Sequence, residues 1–214
     1  MKRVAIWSFA IAIVGLALFG LIKLGINSAP NQSASLIDAV SPKDWGKGAE
    51  EAKVVLVEYS DFQCPACGAY YPLLKRLSQE FTGQIKFVYR HFPLSQIHAN
   101  AEPAARAAEA SGKQGKFWEM HDLIFENQTN WSNQKNAEVA FISYAQSLQL
   151  DIERFKTDLN SQEVKESVAN DYQSGIRSKV NGTPTFFLNG QKIQNPRSYD
   201  EFKNIIEQAI NANL

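Results

Sequence analysis

The sequence predicts an α/β domain in which a parallel strand, helix, strand unit is followed by a long helical stretch and closed by a hairpin and a last helix. Three observations carry this. The apolar run VVLVEYS from Val54 leads within a few residues into helical spacing, and then into a second alternating strand, IKFVYRHF. Two strands joined by a helix pair in parallel through a right-handed crossover. The residues after Ala101 show apolar positions at helical intervals and no convincing strand. Strand character returns at Thr185 to Leu188, where Asn189 and Gly190 supply a two-residue turn into Gln191 to Ile193.

The chain has 214 residues and a formal net charge of zero. That length accommodates one large domain with a substantial core, and the charge balance offers no basic surface for nucleic acid. The two cysteines, Cys64 and Cys67, are the only ones and lie in one four-residue motif. A disulfide between them is therefore chemical and not a staple of the fold. A zinc half-site is the competing use of such a pair, but it needs two further ligands. His91, His98 and His121 are scattered without a second paired spacing, so no metal and no cofactor is expected.

Lys2 and Arg3 precede an uncharged run from Val4 to Ile22, long enough to cross a bilayer. This predicts residues 1–3 in the cytoplasm and an uncleaved signal anchor over residues 4–26, in preference to a cleaved signal peptide. Everything after Lys23 then lies on the extracytoplasmic side, where a disulfide can persist. Residues 27–50, rich in Ser, Ala, Asn, Pro and Gly, read as a tether ending in a surface loop around Asp44 to Gly48. The domain proper is expected over 51–214, with a helical insertion at about 97–180.

Within that domain the first helix should run from Cys64 to Phe81 through Pro72, with Gly83 as its stop. Gly112 and Gly115 break the next helical stretch in two. Further helices are expected over Asn136 to Leu148, Ile152 to Leu159 and Gln162 to Val180, with Asp151 and Asn160 as caps, and the last helix should start after Ser198. Phe117, Trp118, Phe125 and Trp131 are expected to fill the core of the insertion, and the three histidines to be ordinary core or loop residues.

The chemistry concentrates at FQCPACG. Cys64 falls at the N-cap of the predicted helix with Pro65 at its first position, where a missing N–H costs nothing. The positive end of the helix favours an anionic sulfur there, while Cys67, one turn in, faces the body of the domain.

FQCPACG on a strand-to-helix turn, GKFWEMHDLIFENQ within the helices, and NGTPTFFLNG before the last helix together resemble the DsbA-like thiol:disulfide oxidoreductases, from about Asp44 to the C-terminus. The resemblance implies a thioredoxin fold with an inserted all-helical domain. It implies that Cys64 forms the mixed disulfide with substrate and that Cys67 resolves it. It also implies that the Thr183 to Pro184 bond is cis and that the backbone before it pairs with substrate. Glu58 matches the buried acidic residue of the family, and burial would raise its pKa and suit it to carry a proton to or from Cys67. The expected activity is oxidation of reduced or unfolded exported proteins, with a membrane redox partner restoring the disulfide. A reductase or isomerase of the same fold, and a noncatalytic binding or chaperone domain, stand as alternatives. Pro65 and Ala66 depart from relatives with histidine at the second intervening position, so the family's potential does not carry over.

Overall fold

A computed structural model describes residues 34–212 of the chain, and the predicted signal anchor over 4–26 lies outside the described residues. Among the described residues no helix is long and apolar enough to cross a membrane.

Five strands form one sheet: β1 (Trp45–Gly48), β2 (Val54–Ser60), β3 (Ile85–His91), β4 (Thr185–Leu188) and β5 (Gln191–Lys192). Their order is β1-β3-β2-β4-β5. The pair β2 and β3 is parallel, as the connecting helix α1 (Pro65–Glu80) requires, and the other pairings are antiparallel. Strand β2 is central, which is why it reads as an almost continuous apolar run. Its residues alternate between two cores: Val54 and Leu56 pack with Leu74, Leu77, Phe186, Phe202 and Ile206, whereas Val57 and Tyr59 pack with Val88, Phe92, Val180 and Phe187. The helix α1 continues through Pro72, and Gly83 follows it at φ +82°, in the left-handed region.

The insertion comprises α2 (Ala101–Gly112), α3 (Phe117–Glu126), α4 (Gln128–Trp131), α5 (Glu138–Ser147), α6 (Ile152–Leu159) and α7 (Gln162–Arg177). Phe117, Phe125 and Trp131 are buried in its core as expected, while Trp118 is only partly covered. Asp151 caps α6 through Arg154 N, but Asn160 does not cap α7. Ser161 does, its hydroxyl accepting from Val164 N at 3.2 Å, because it occupies the position immediately outside the helix. The last helix, α8 (Tyr199–Asn211), is capped by Ser198 as predicted.

Of the tether expected over 27–50, residues 27–33 lie outside the described residues, and the described part, 34–50, is a correction. Leu36 N donates to Gly190 O, Ser35 bridges Gln191, and Trp45 to Gly48 pair with β3 as an edge strand, not a surface loop. Four residues with two glycines carry no readable period, so the strand is defined by what Trp45 does. Its indole stacks on Phe117 at 4.3 Å, donates to Glu109 Oε1 at 2.6 Å, and lies so close to Gly112 that a Cβ there would sit 2.3 Å from the ring.

Candidate active site

Cys64 is the N-cap of α1 with extended backbone angles, and Pro65 opens the helix. No side chain caps this end. The positive end of the helix is therefore left to the sulfur. Both cysteines are free thiols; Cys67 is fully buried and Cys64 retains 8 % exposure. Cys64 is thus less open than its place at the helix mouth predicts, because the loop before β4 covers it: Thr183 O lies 3.4 Å from its Sγ. The Thr183 to Pro184 bond is cis, and β2, α1 and the β4 loop meet at this point.

The two sulfurs are held in opposite directions. The Cys67 thiol, then Thr183 and the N–H groups of Cys67 and Ala66, bring the Cys64 pKa down to about 5 against the effect of burial. The Thr183 hydroxyl is buried without a partner of normal hydrogen-bond geometry, yet it stands close enough to the sulfur to favour its thiolate. Burial, followed by the hydrogen bond to Cys64 and the charge of Glu58, pushes Cys67 well above the ordinary thiol range.

Glu58 sits beneath them on β2, 2 % exposed, and burial raises its carboxyl to about 8. It is a central-strand residue and not a strand-edge carboxylate in water. Lys47 of β1 lines the same small cavity as Glu58, with Tyr71, Lys75 and His121. Burial lowers the pKa of Lys47, and its ammonium lies 4.3 Å from the Trp118 ring centroid. Ser60 Oγ and Tyr89 OH, neighbours of Glu58 along and across the strands, are buried without a partner of normal hydrogen-bond geometry, although Ser60 stands close enough to Glu58 to oppose part of the effect of burial.

Sequence reasoning missed Lys47, because β1 was not legible, and it missed Asp61. That buried carboxylate accepts from Gln63 N (2.7 Å), Leu94 N (2.9 Å) and His98 Nδ1 (2.7 Å), and so shapes the turn into the CxxC motif. An aspartate directly after a strand and just before a helix was the available signal. The histidines do not converge on the cysteines. His98 serves Asp61, His121 pairs with Asp122 at 2.9 Å with its pKa lowered by burial to about 4, and His91 Nε2 meets Glu109 Oε1 at 3.0 Å. His91, Glu109 and Asp171 bring ligand-type atoms within 4.8 Å of one another. Hydrogen bonds occupy this cluster, since Glu109 Oε1 also takes the Trp45 N–H and Asp171 Oδ2 takes the His91 backbone N–H.

A CxxC dithiol at a helix mouth, facing a cis-proline loop on a five-stranded sheet, defines the class of thioredoxin-fold redox domains. A thioredoxin family model matches residues 41–208, and the chain belongs to that family. Among solved structures, oxidised BdbD from Bacillus subtilis superimposes with a TM-score of 0.74 at 24 % identity, over 85 % of this chain and 100 % of that one. The α-DsbA1 protein of Wolbachia pipientis gives 0.72 at 20 % identity, over 81 % and 94 %. The elaboration of the fold is therefore DsbA-like. Curated relatives include proteins named Na(+)/H(+) antiporter NhaA: one of Salinispora arenicola is 42 % identical over 164 residues, covering 75 % of this chain and 24 % of that protein. One of Salinispora tropica is 37 % identical over 182 residues, covering 83 % and 27 %. The chain spans about a quarter of the length of these relatives.

Proposed function

We propose that this domain is a protein dithiol/disulfide oxidoreductase that works on the extracytoplasmic side of the membrane, mainly as an oxidase of reduced exported proteins. The observation that carries the reading is the asymmetry of the two sulfurs within one helical turn: Cys64 at the helix mouth, 8 % exposed, with its thiolate favoured, and Cys67 fully buried with its thiolate disfavoured.

The exchange runs as follows. A substrate thiolate attacks Sγ of Cys64 in the oxidised domain, the Cys64–Cys67 bond breaks, and Cys67 leaves. Glu58, protonated at neutral pH with a pKa of about 8, supplies the proton that Cys67 takes up. A second substrate thiolate then attacks the substrate sulfur of the mixed disulfide and expels Cys64 as a thiolate. The substrate loses two electrons and the dithiol gains them, so a membrane redox partner must remove them to restore the disulfide. A leaving group with a pKa of about 5 speeds the second attack and stabilises the reduced domain, which supports the oxidase direction. The backbone around Thr183 and Pro184, beside Cys64, positions the incoming segment as an added extended strand.

The extracytoplasmic placement rests on Lys2 and Arg3 before the apolar run from Val4 to Ile22. Protease added to spheroplasts should remove the domain, and full protection would contradict the topology. For the chemistry, insulin turnover combined with equilibration against glutathione buffers separates the readings. An oxidase gives a potential well above that of a reductase. A noncatalytic chaperone gives no turnover at all.

A further inference from the structure

Two glutamines cross the joint between the redox loop and the helical insertion in opposite directions. Gln63, the residue before Cys64, donates from Nε2 to Ser132 O at 2.6 Å, and its Oε1 accepts from Asn100 N at 2.7 Å. Gln128, the last residue of the GKFWEMHDLIFENQ stretch and the first of α4, reaches back. Its Nε2 donates to Phe62 O at 2.7 Å and to Cys64 O at 2.9 Å. The amide passes over α1 where residue 68 is glycine, and a Cβ at Gly68 would stand 2.4 Å from Gln128 Oε1. The absence of a side chain after CPAC thus has a local cause: it admits this amide.

Cys64 O also accepts from Gly68 N at 3.1 Å, the first intrahelical bond of α1. Holding that carbonyl fixes the first turn of the helix, and with it the aim of the Ala66 and Cys67 N–H groups at the Cys64 sulfur. We propose that Gln128 is a positioning residue for Cys64: by binding the carbonyls of residues 62 and 64 across Gly68, it lets the helical insertion set how strongly the helix mouth holds the thiolate. Its consequence for exchange rests on the oxidoreductase reading, whereas its effect on the thiolate does not.

The test titrates Cys64 in the reduced full chain, by ultraviolet thiolate absorbance and by the pH dependence of iodoacetamide alkylation. The variants are Gln128→Ala, Gln128→Asn and Gly68→Ala, each with its melting temperature recorded. Gln128→Ala removes the donor, Gln128→Asn shortens it, and Gly68→Ala displaces it while leaving it intact. Each should raise the Cys64 midpoint by about half to one pH unit, the size of one hydrogen bond's net effect. The Gln128→Ala/Gly68→Ala pair should raise it no further than the larger single change, since both act on one contact. A residue that only joins the insertion to the sheet would lower the melting temperature and leave the midpoint where it is, and that result overturns the proposal. If Gln128→Ala does not fold, Gly68→Ala and Gln128→Asn decide. Absence of insulin turnover in the unmodified chain would sink the oxidoreductase reading alone, because the titration reads the sulfur directly.

Discussion

Two buried polar regions flank β2 and β3, and their hydrogen bonding differs. On one side Arg90 is saturated. Its Nε and Nη2 fork onto Asp44 at 2.6 and 3.2 Å, Nη1 reaches Asp38 O and Tyr59 OH, and Nη2 also meets Ala39 O. Tyr59 OH lies 2.8 Å from Ser174 Oγ, which in turn donates to Asp171 O, so the chain of partners is complete. On the other side, beneath the cysteines, Ser60, Tyr89 and Thr183 carry buried hydroxyls without a partner of normal hydrogen-bond geometry, and burial raises the pKa of the Glu58 carboxyl. The first arrangement fastens the segment before β1 to the sheet. The second keeps its polar groups uncommitted, which costs stability and leaves proton donors and acceptors available near Cys67.

That contrast breaks most sharply at Arg90. Replacing Arg90 by Ala takes the cation from the largely covered Asp44 side chain, which keeps only its bonds from Ser41 N and Oγ, and denaturant unfolding should show a loss of about 3 to 5 kcal/mol with the Cys64 thiolate midpoint unchanged. A midpoint that moved with Arg90 would mean that the two regions are not independent.

Glu58→Gln should act with the opposite sign. The folded carboxyl titrates at about 8 and the unfolded one near 4.5. Stability is therefore fully present below about 4.5 and falls as pH rises toward 8, where a charge must be held without water. The variant escapes this penalty. Relative to the unmodified domain it should gain stability progressively over that window, reaching on the order of 3 to 5 kcal/mol above pH 8. In stopped-flow measurements it should also slow release of Cys67 from a preformed disulfide at neutral pH. A variant equally stable at pH 5 and pH 9 relative to its parent would show that Glu58 is not buried as a carboxylic acid.

The smallest and cleanest comparison is a pair of tyrosines on adjacent strands, both 0 % exposed. Tyr59→Phe removes a hydroxyl that accepts from Arg90 and pairs with Ser174, and should cost about 1 to 3 kcal/mol. Tyr89→Phe removes a hydroxyl with no partner of normal hydrogen-bond geometry and should be neutral or stabilising within about 1 kcal/mol. Equal costs would erase the distinction between the two regions.

Much of this was legible in the sequence where a residue's role is local. The N-cap position of Cys64 follows from strand, turn, cysteine and proline in order, and the hairpin after β4 from Asn189 and Gly190. Family resemblance added the cis bond before Pro184 and pointed to Glu58. What stayed hidden depends on partners distant in the chain. Trp45 makes a strand of WGKG only because Phe117, Glu109 and Gly112 receive it. Lys47 reaches the cavity of Glu58 only because that strand exists, and Gln128 meets Cys64 across 64 positions of sequence. The choice of Ser161 over Asn160 as a cap turned on a single residue of register, which periodicity does not resolve.

The measurement that bears most directly on the whole account is the pH titration of the reduced domain by alkylation and by thermal melting. The folded Cys64 pKa of about 5 lies below its ordinary value of 9. The stability it contributes to the reduced form is therefore present above about 9 and lost as pH falls through 5. Cys64 alone should be alkylated rapidly at pH 6, and the melting temperature of the reduced domain, relative to a Cys64→Ser variant, should climb between about pH 5 and 9. A Cys64 midpoint near 9, or Cys67 as the faster-reacting thiol, would contradict the assignment of the two sulfurs on which the proposed exchange depends.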